Sequence, residues 1–87
     1  MQTHPLKLVT IIGEALARES LKKLLSESGA RGRRSGDIQE FANIQIEVIV
    51  QPAVAEQLLM RLERDFFPRF AMVAYETDIR VIRREKF

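Results

Sequence analysis

The feature that most constrains this chain is an alternating run at residues 41–51. Every second position carries a β-branched aliphatic side chain: Ile44, Ile46, Val48 and Val50. A period of two places successive side chains on opposite faces of a strand, so the run predicts a β-strand with one buried face. Pro52 follows at once, and proline suits the first turn of a helix because its missing N–H would have no partner there. The run therefore predicts a strand that leads directly into a helix.

The other segments extend this pattern to three strands and two helices. Residues 6–12 and 71–83 predict strands, and residues 14–28 and 52–66 predict helices with apolar stripes. The stripe of the first helix contains four leucines: Leu16, Leu21, Leu24 and Leu25. Residues 31–40 lack periodicity and are rich in Gly, Ser and charged residues, which predicts a loop.

The order of these elements predicts the fold class. Eighty-seven residues fit a single domain, residues 1–87. Two strand–helix–strand units indicate an α+β, ferredoxin-like sandwich with two helices on one antiparallel or mixed sheet. That plan needs a fourth strand, and we expect it between the first helix and residue 41. Two helices cover one face of such a sheet, and apolar residues on the other face, such as Ile49 and Ile82, predict an oligomer.

Composition argues against several functions. The chain has no cysteine and one histidine, His4, so we expect no metal site and no catalytic centre, and thus not an enzyme. No apolar run approaches the roughly 20 residues of a membrane span. We therefore expect a cytoplasmic protein that reaches a membrane only through a membrane-protein partner. A net charge of +2 and a sheet without exposed aromatic residues argue against nucleic-acid binding. Arginines near residues 31–34 and 80–84 favour anion binding.

Four short segments resemble the PII signalling proteins. Residues 41–50, followed by Pro52, are similar to the central strand of that family, and residues 80–83 resemble its last core strand. Residues 8–12 fit the first strand, and Gly29-Ala30-Arg31-Gly32 fits the Gly-x-x-Gly that closes the first helix. The resemblance implies a homotrimer with the sheets inside, which binds adenine nucleotides between subunits. It also implies a mobile T-loop that reports the ligand to a target protein.

The resemblance also implies roles for particular residues. Gly32 and Ile49 would lie against the adenine, Arg83 and Arg69 would face the phosphates, and Arg33 and Arg34 would stand at the base of the T-loop. Glu85 replaces a second phosphate-binding arginine, which favours AMP or ADP over a triphosphate. The short chain looks closest to the subgroup associated with bicarbonate and carboxysomes, so bicarbonate is an expected second ligand.

One departure concerns the loop, and one alternative concerns the ligand. After Gly32 the family continues with a strand and a long loop, whereas Arg33 follows here at once. Either the T-loop near residues 32–36 is short, or a segment is omitted; the second reading is favoured because it would supply the missing strand. The alternative function is a ferredoxin-like oligomerisation or interaction module that binds no nucleotide, and it explains the fold equally well.

Overall fold

The computed structural model describes residues 1–38 and 43–82, and over residues 31–38 it describes the backbone alone. The strands are β1 (His4–Glu14), β2 (Arg31–Ile38), β3 (Asn43–Val50) and β4 (Met72–Val81). The helices are α1 (Arg18–Glu27), preceded by a 3₁₀ turn (Ala15–Ala17), and α2 (Pro52–Arg61), extended by a π-helical turn (Leu62–Phe66).

The four strands form one antiparallel sheet in the order β2-β3-β1-β4. β1 is central and pairs along most of its length with both neighbours; Val9, for example, lies opposite Val48 of β3 and Glu76 of β4. Both described helices pack on one face of this sheet. The α+β, ferredoxin-like plan expected from the sequence is confirmed.

The core lies between the helices and that face of the sheet. The alternation of β3 is confirmed, since Ile44, Ile46, Val48 and Val50 are each no more than 3% exposed. Three leucines of α1 complete the core with two of α2 and its extension: Leu21, Leu24, Leu25, Leu58 and Leu62.

Leu16 does not belong to this core, contrary to the sequence prediction. Its side chain is 83% exposed, and Ala17 is buried in its place. The physical reason is local: β1 runs on to Glu14, and a tighter 3₁₀ turn follows before α1 starts at Arg18. Leu16 therefore precedes the helical register that turns the later leucines inward.

The prediction of a loop over residues 31–40 is wrong for Arg31–Ile38, which forms β2 beside β3. This is the fourth strand, at the place where the plan required it. Edge strands tolerate glycine and charge because one side of the backbone stays free and only one neighbour must be matched. The sheet is thus complete without an additional segment, which removes the argument for an omitted one. The length of the T-loop stays a prediction, since residues 39–42 lie outside the described residues.

Candidate functional site

The face of the sheet turned away from α1 and α2 is apolar. Its members come from three strands: Leu6, Leu8, Ile12, Ile49, Val73, Tyr75 and Ile79. Val73 and Tyr75 are 53% and 49% exposed. An apolar patch of this kind on a small domain usually marks an interface. We call these seven residues the open face.

A β-bulge in β2 brings four of the predicted nucleotide-site residues together. Arg31 pairs with Ile49 and Arg34 with Glu47, so Gly32 and Arg33 both stand opposite Val48. Such bulges twist a strand and are frequent beside binding sites. The structure therefore places Gly32, Arg33 and Arg34 next to Ile49. Their role in binding stays a prediction.

Arg69 lies in the connector between the π-helical turn and β4. The backbone N–H groups of Arg69 and Phe70 both donate to the carbonyl oxygen of Phe66, each at 2.9 Å. The guanidinium carbon of Arg69 stands 4.9 Å from the centre of the Phe70 ring, a cation–π contact. The Phe66 and Phe70 rings are 6.0 Å apart, and Phe66 is buried, so the phenylalanines are structural and hold the arginine in place.

Within one chain, Arg69 and the bulge stand at opposite ends of the sheet. The connector is anchored where Glu14 donates its N–H to the carbonyl of Ala71 at 3.1 Å, and Glu14 pairs with Asn43. Five residues of β3 separate Asn43 from Val48, which is about 17 Å at 3.4 Å per residue. Arg83, the remaining predicted phosphate ligand, lies outside the described residues.

The sequence analysis missed an ion-pair cluster on β1 and β4. The Lys7 ammonium donates to Asp78 and lies 3.9 Å from a carboxylate oxygen of Glu76. The hydrogen bond to Asp78 raises the pKa of Lys7. The alternation of Glu76 and Asp78 was visible in the sequence, but their partner on β1 follows only from the strand pairing. This cluster borders a cleft of about 700 Å³ beside Pro52.

Two further features bear on function. In the described residues, no group of three or more His, Cys, Asp or Glu side chains could hold a metal ion. The two α-helices are also too short and insufficiently apolar to cross a membrane, within the part of the chain that the structure describes.

The fold, with its open face and its bulged edge strand, defines the class of ferredoxin-like α+β domains. No protein-family model and no curated protein matches the sequence, whereas solved structures match it over its whole length. A PII-like signalling protein from Thermus thermophilus is 34% identical, with 100% of this chain and 99% of that chain covered and a TM-score of 0.88.

CPII, a nitrogen regulatory PII-like protein from Thiomonas intermedia, was solved bound to ADP, AMP and bicarbonate. It is 30% identical over 99% of this chain and 100% of that chain, with a TM-score of 0.88. The apo form of CPII matches at 27% identity, with 92% and 95% covered and a TM-score of 0.81. The chain belongs to the family of PII-like signalling proteins, and the resemblance noted in the sequence is confirmed.

Proposed function

We propose that this protein is a regulatory subunit that binds AMP or ADP in the clefts of a homotrimer and reports the bound state to a target protein. The observation that carries the proposal is the similarity, over 99% of this chain, to CPII, a protein solved with ADP, AMP and bicarbonate. The similar proteins are signalling proteins, which supports a regulatory and non-catalytic role.

The open face supports self-association. The helices cover the opposite face, so the half-exposed side chains of Val73 and Tyr75 need a partner surface to leave water. In a closed ring of three copies the open faces pack together and the helices lie outside. This arrangement also brings the edge strands of neighbouring subunits close to one another, where a cleft between subunits forms.

The bulge supports the placement of the nucleotide. A glycine lets a ligand approach the backbone closely, because no Cβ stands in the way. Gly32 and Ile49 then form the adenine contact at one end of β3. Arg33, Arg34, Arg69 and Arg83 supply guanidinium groups, which match phosphate oxygens in a fork of two hydrogen bonds. Because the bulge and Arg69 are about 17 Å apart along the sheet, the ligand lies lengthwise and a neighbouring subunit completes its site.

The proposal includes bicarbonate as a second ligand beside the nucleotide. If the two are coupled, bicarbonate tightens nucleotide binding by the same factor by which the nucleotide tightens bicarbonate binding. The loop between β2 and β3 then conveys the ligand state by an order–disorder change that a target protein reads.

Calorimetric titration tests the proposal with AMP, ADP, ATP and cyclic AMP, each with and without bicarbonate. We expect AMP or ADP to bind in the micromolar range and more tightly with bicarbonate. Arg83→Ala should weaken binding about tenfold or more, because a charge-assisted hydrogen bond contributes about 1.5–3 kcal/mol. Lys22→Ala, on the exposed side of α1, is the control and should bind as the wild type does.

Three results would change the proposal. Unchanged binding by Arg83→Ala would show that the phosphates lie elsewhere. Binding indifferent to bicarbonate would remove the link to bicarbonate handling and carboxysomes. Absence of binding by all four nucleotides would favour an interaction module without a nucleotide.

A further inference from the structure

A second cleft, separate from the bulge in β2, lies between α1 and the end of α2. It has a volume of about 670 Å³, and Leu24 and Phe66 are among the apolar side chains that line it. Six charged residues surround it: Lys23, Glu27, Arg61, Arg64, Asp65 and Arg69. Four of these are basic and two are acidic, so the cleft carries an excess of two positive charges. We call it the interhelical cleft.

The guanidinium groups of the interhelical cleft are held in place before any ligand arrives. Arg64 donates two hydrogen bonds to Asp65, at 2.8 and 2.9 Å. Arg61 bridges the two helices, with guanidinium nitrogens 3.7 Å from Glu27 and 3.9 Å from Asp65. The hydrogen bond from Arg64, with smaller contributions from Arg61 and Arg69, holds the pKa of Asp65 below its usual range. An anion entering the cleft therefore meets arginines whose side-chain entropy is already reduced.

The backbone at this cleft is unusual as well. The five residues Leu62–Phe66 form a π-helical turn, which supplies Arg64, Asp65 and Phe66 to the cleft. π-helical turns are rare and occur frequently at functional sites. The chain thus adopts an uncommon backbone conformation at the point where the arginines gather. This observation is independent of the charge count.

We propose that the interhelical cleft binds a compact polyanion, a small molecule with two or more phosphate or carboxylate groups. Its volume lies within the range of small-molecule sites, and guanidinium forks match both kinds of oxyanion. The cleft belongs to the helical layer, which stays accessible when the open faces associate. The inference does not rest on the proposed nucleotide site, and Lys23 and Arg61 have no part in that site.

Titration with two simple probes, inorganic pyrophosphate and citrate, tests this site at low ionic strength on the full chain. Lys23→Gln and Arg61→Gln should each weaken binding about tenfold, as expected for the loss of one charge-assisted contact. Glu27→Gln should tighten binding about threefold, because it removes a repelling carboxylate. The matched control is Lys22→Gln, the neighbouring lysine, which does not line the cleft and should change nothing. Lys23→Gln keeps the test valid if Arg61→Gln fails to fold.

Pyrophosphate binding alone identifies a phosphate ligand, citrate binding alone a carboxylate ligand, and both support the shared chemistry. The proposal is overturned if neither probe binds at about 10 mM. An equal loss in Lys22→Gln would overturn it by revealing unspecific surface attraction. Displacement of the probe by AMP, together with indifference to Lys23→Gln, would overturn it by placing the anion in the nucleotide cleft.

Discussion

Tyr75 offers a quantitative test of the proposed trimer. Its side chain lies on the open face, opposite Thr10 of β1, and is 49% exposed. An aromatic side chain buries about 150–250 Å², so roughly 100 Å² remains for a neighbouring subunit to cover. At about 25 cal/mol per Å², and with an allowance for the polar hydroxyl, this burial stabilises each contact by about 2 kcal/mol. A symmetric trimer contains the contact three times, so Tyr75→Ser should cost the assembly about 6 kcal/mol.

The effect is large enough to measure by sedimentation equilibrium. Six kcal/mol changes the dissociation constant by roughly 10⁴. Dissociation of a trimer depends on the square of the protein concentration, so the concentration at half-dissociation should rise roughly a hundredfold. The masses to be separated are 10.0 kDa for the monomer and three times this value for the trimer.

Met60→Ser provides the control, because Met60 is 64% exposed but lies on α2, outside the open face. It should leave the assembly unchanged. Equal dissociation of Tyr75→Ser and wild type would show that the open face is not the interface. A wild type that is monomeric at all concentrations would refute the trimer itself.

Three further predictions concern stability, each checked by unfolding measurements. Leu58→Ala should lower the free energy of unfolding by about 2–5 kcal/mol, because Leu58 is 1% exposed in the core, whereas Leu16→Ala should change it by less than about 0.5 kcal/mol. Gly29→Ala should lower it by about 1 kcal/mol, since Gly29 closes α1 with φ of 74°, where a Cβ is strained. The hydrogen bond from Arg64 lowers the pKa of Asp65, so its contribution to stability is present above about pH 4 and lost as the pH falls through the lowered pKa. The difference in Tm between wild type and Asp65→Asn should therefore vanish in acid, and a constant difference would contradict this account.

Most of the fold could be predicted because its signals are local. The alternation in β3 and the leucine spacing in α1 and α2 depend on near neighbours in the chain, and Pro52 marks the start of α2 directly. The second strand could not be predicted in this way. Arg31–Ile38 has the composition of a loop, and it becomes a strand because the edge of β3 offers backbone hydrogen-bonding groups.

The candidate sites divide similarly. Resemblance identified Gly32 and Ile49 as a pair, and the strand register confirms that they are close. The interhelical cleft had no signal in the sequence, because Glu27 and Arg61 belong to different helices and meet only when the helices pack. Likewise, Lys7 and Asp78 lie near opposite ends of the chain and meet only across β1 and β4.

The sequence alone determined the order of the strands and helices, the α+β class and the resemblance to PII-like proteins. Only the tertiary structure decided which residues complete the sheet, where the bulge lies, which face of the sheet stays open and which charges share a cleft. The reason is that periodicity and turn chemistry act over a few residues. Strand pairing, ion pairs between elements and burial instead depend on residues that are far apart in the chain until it folds.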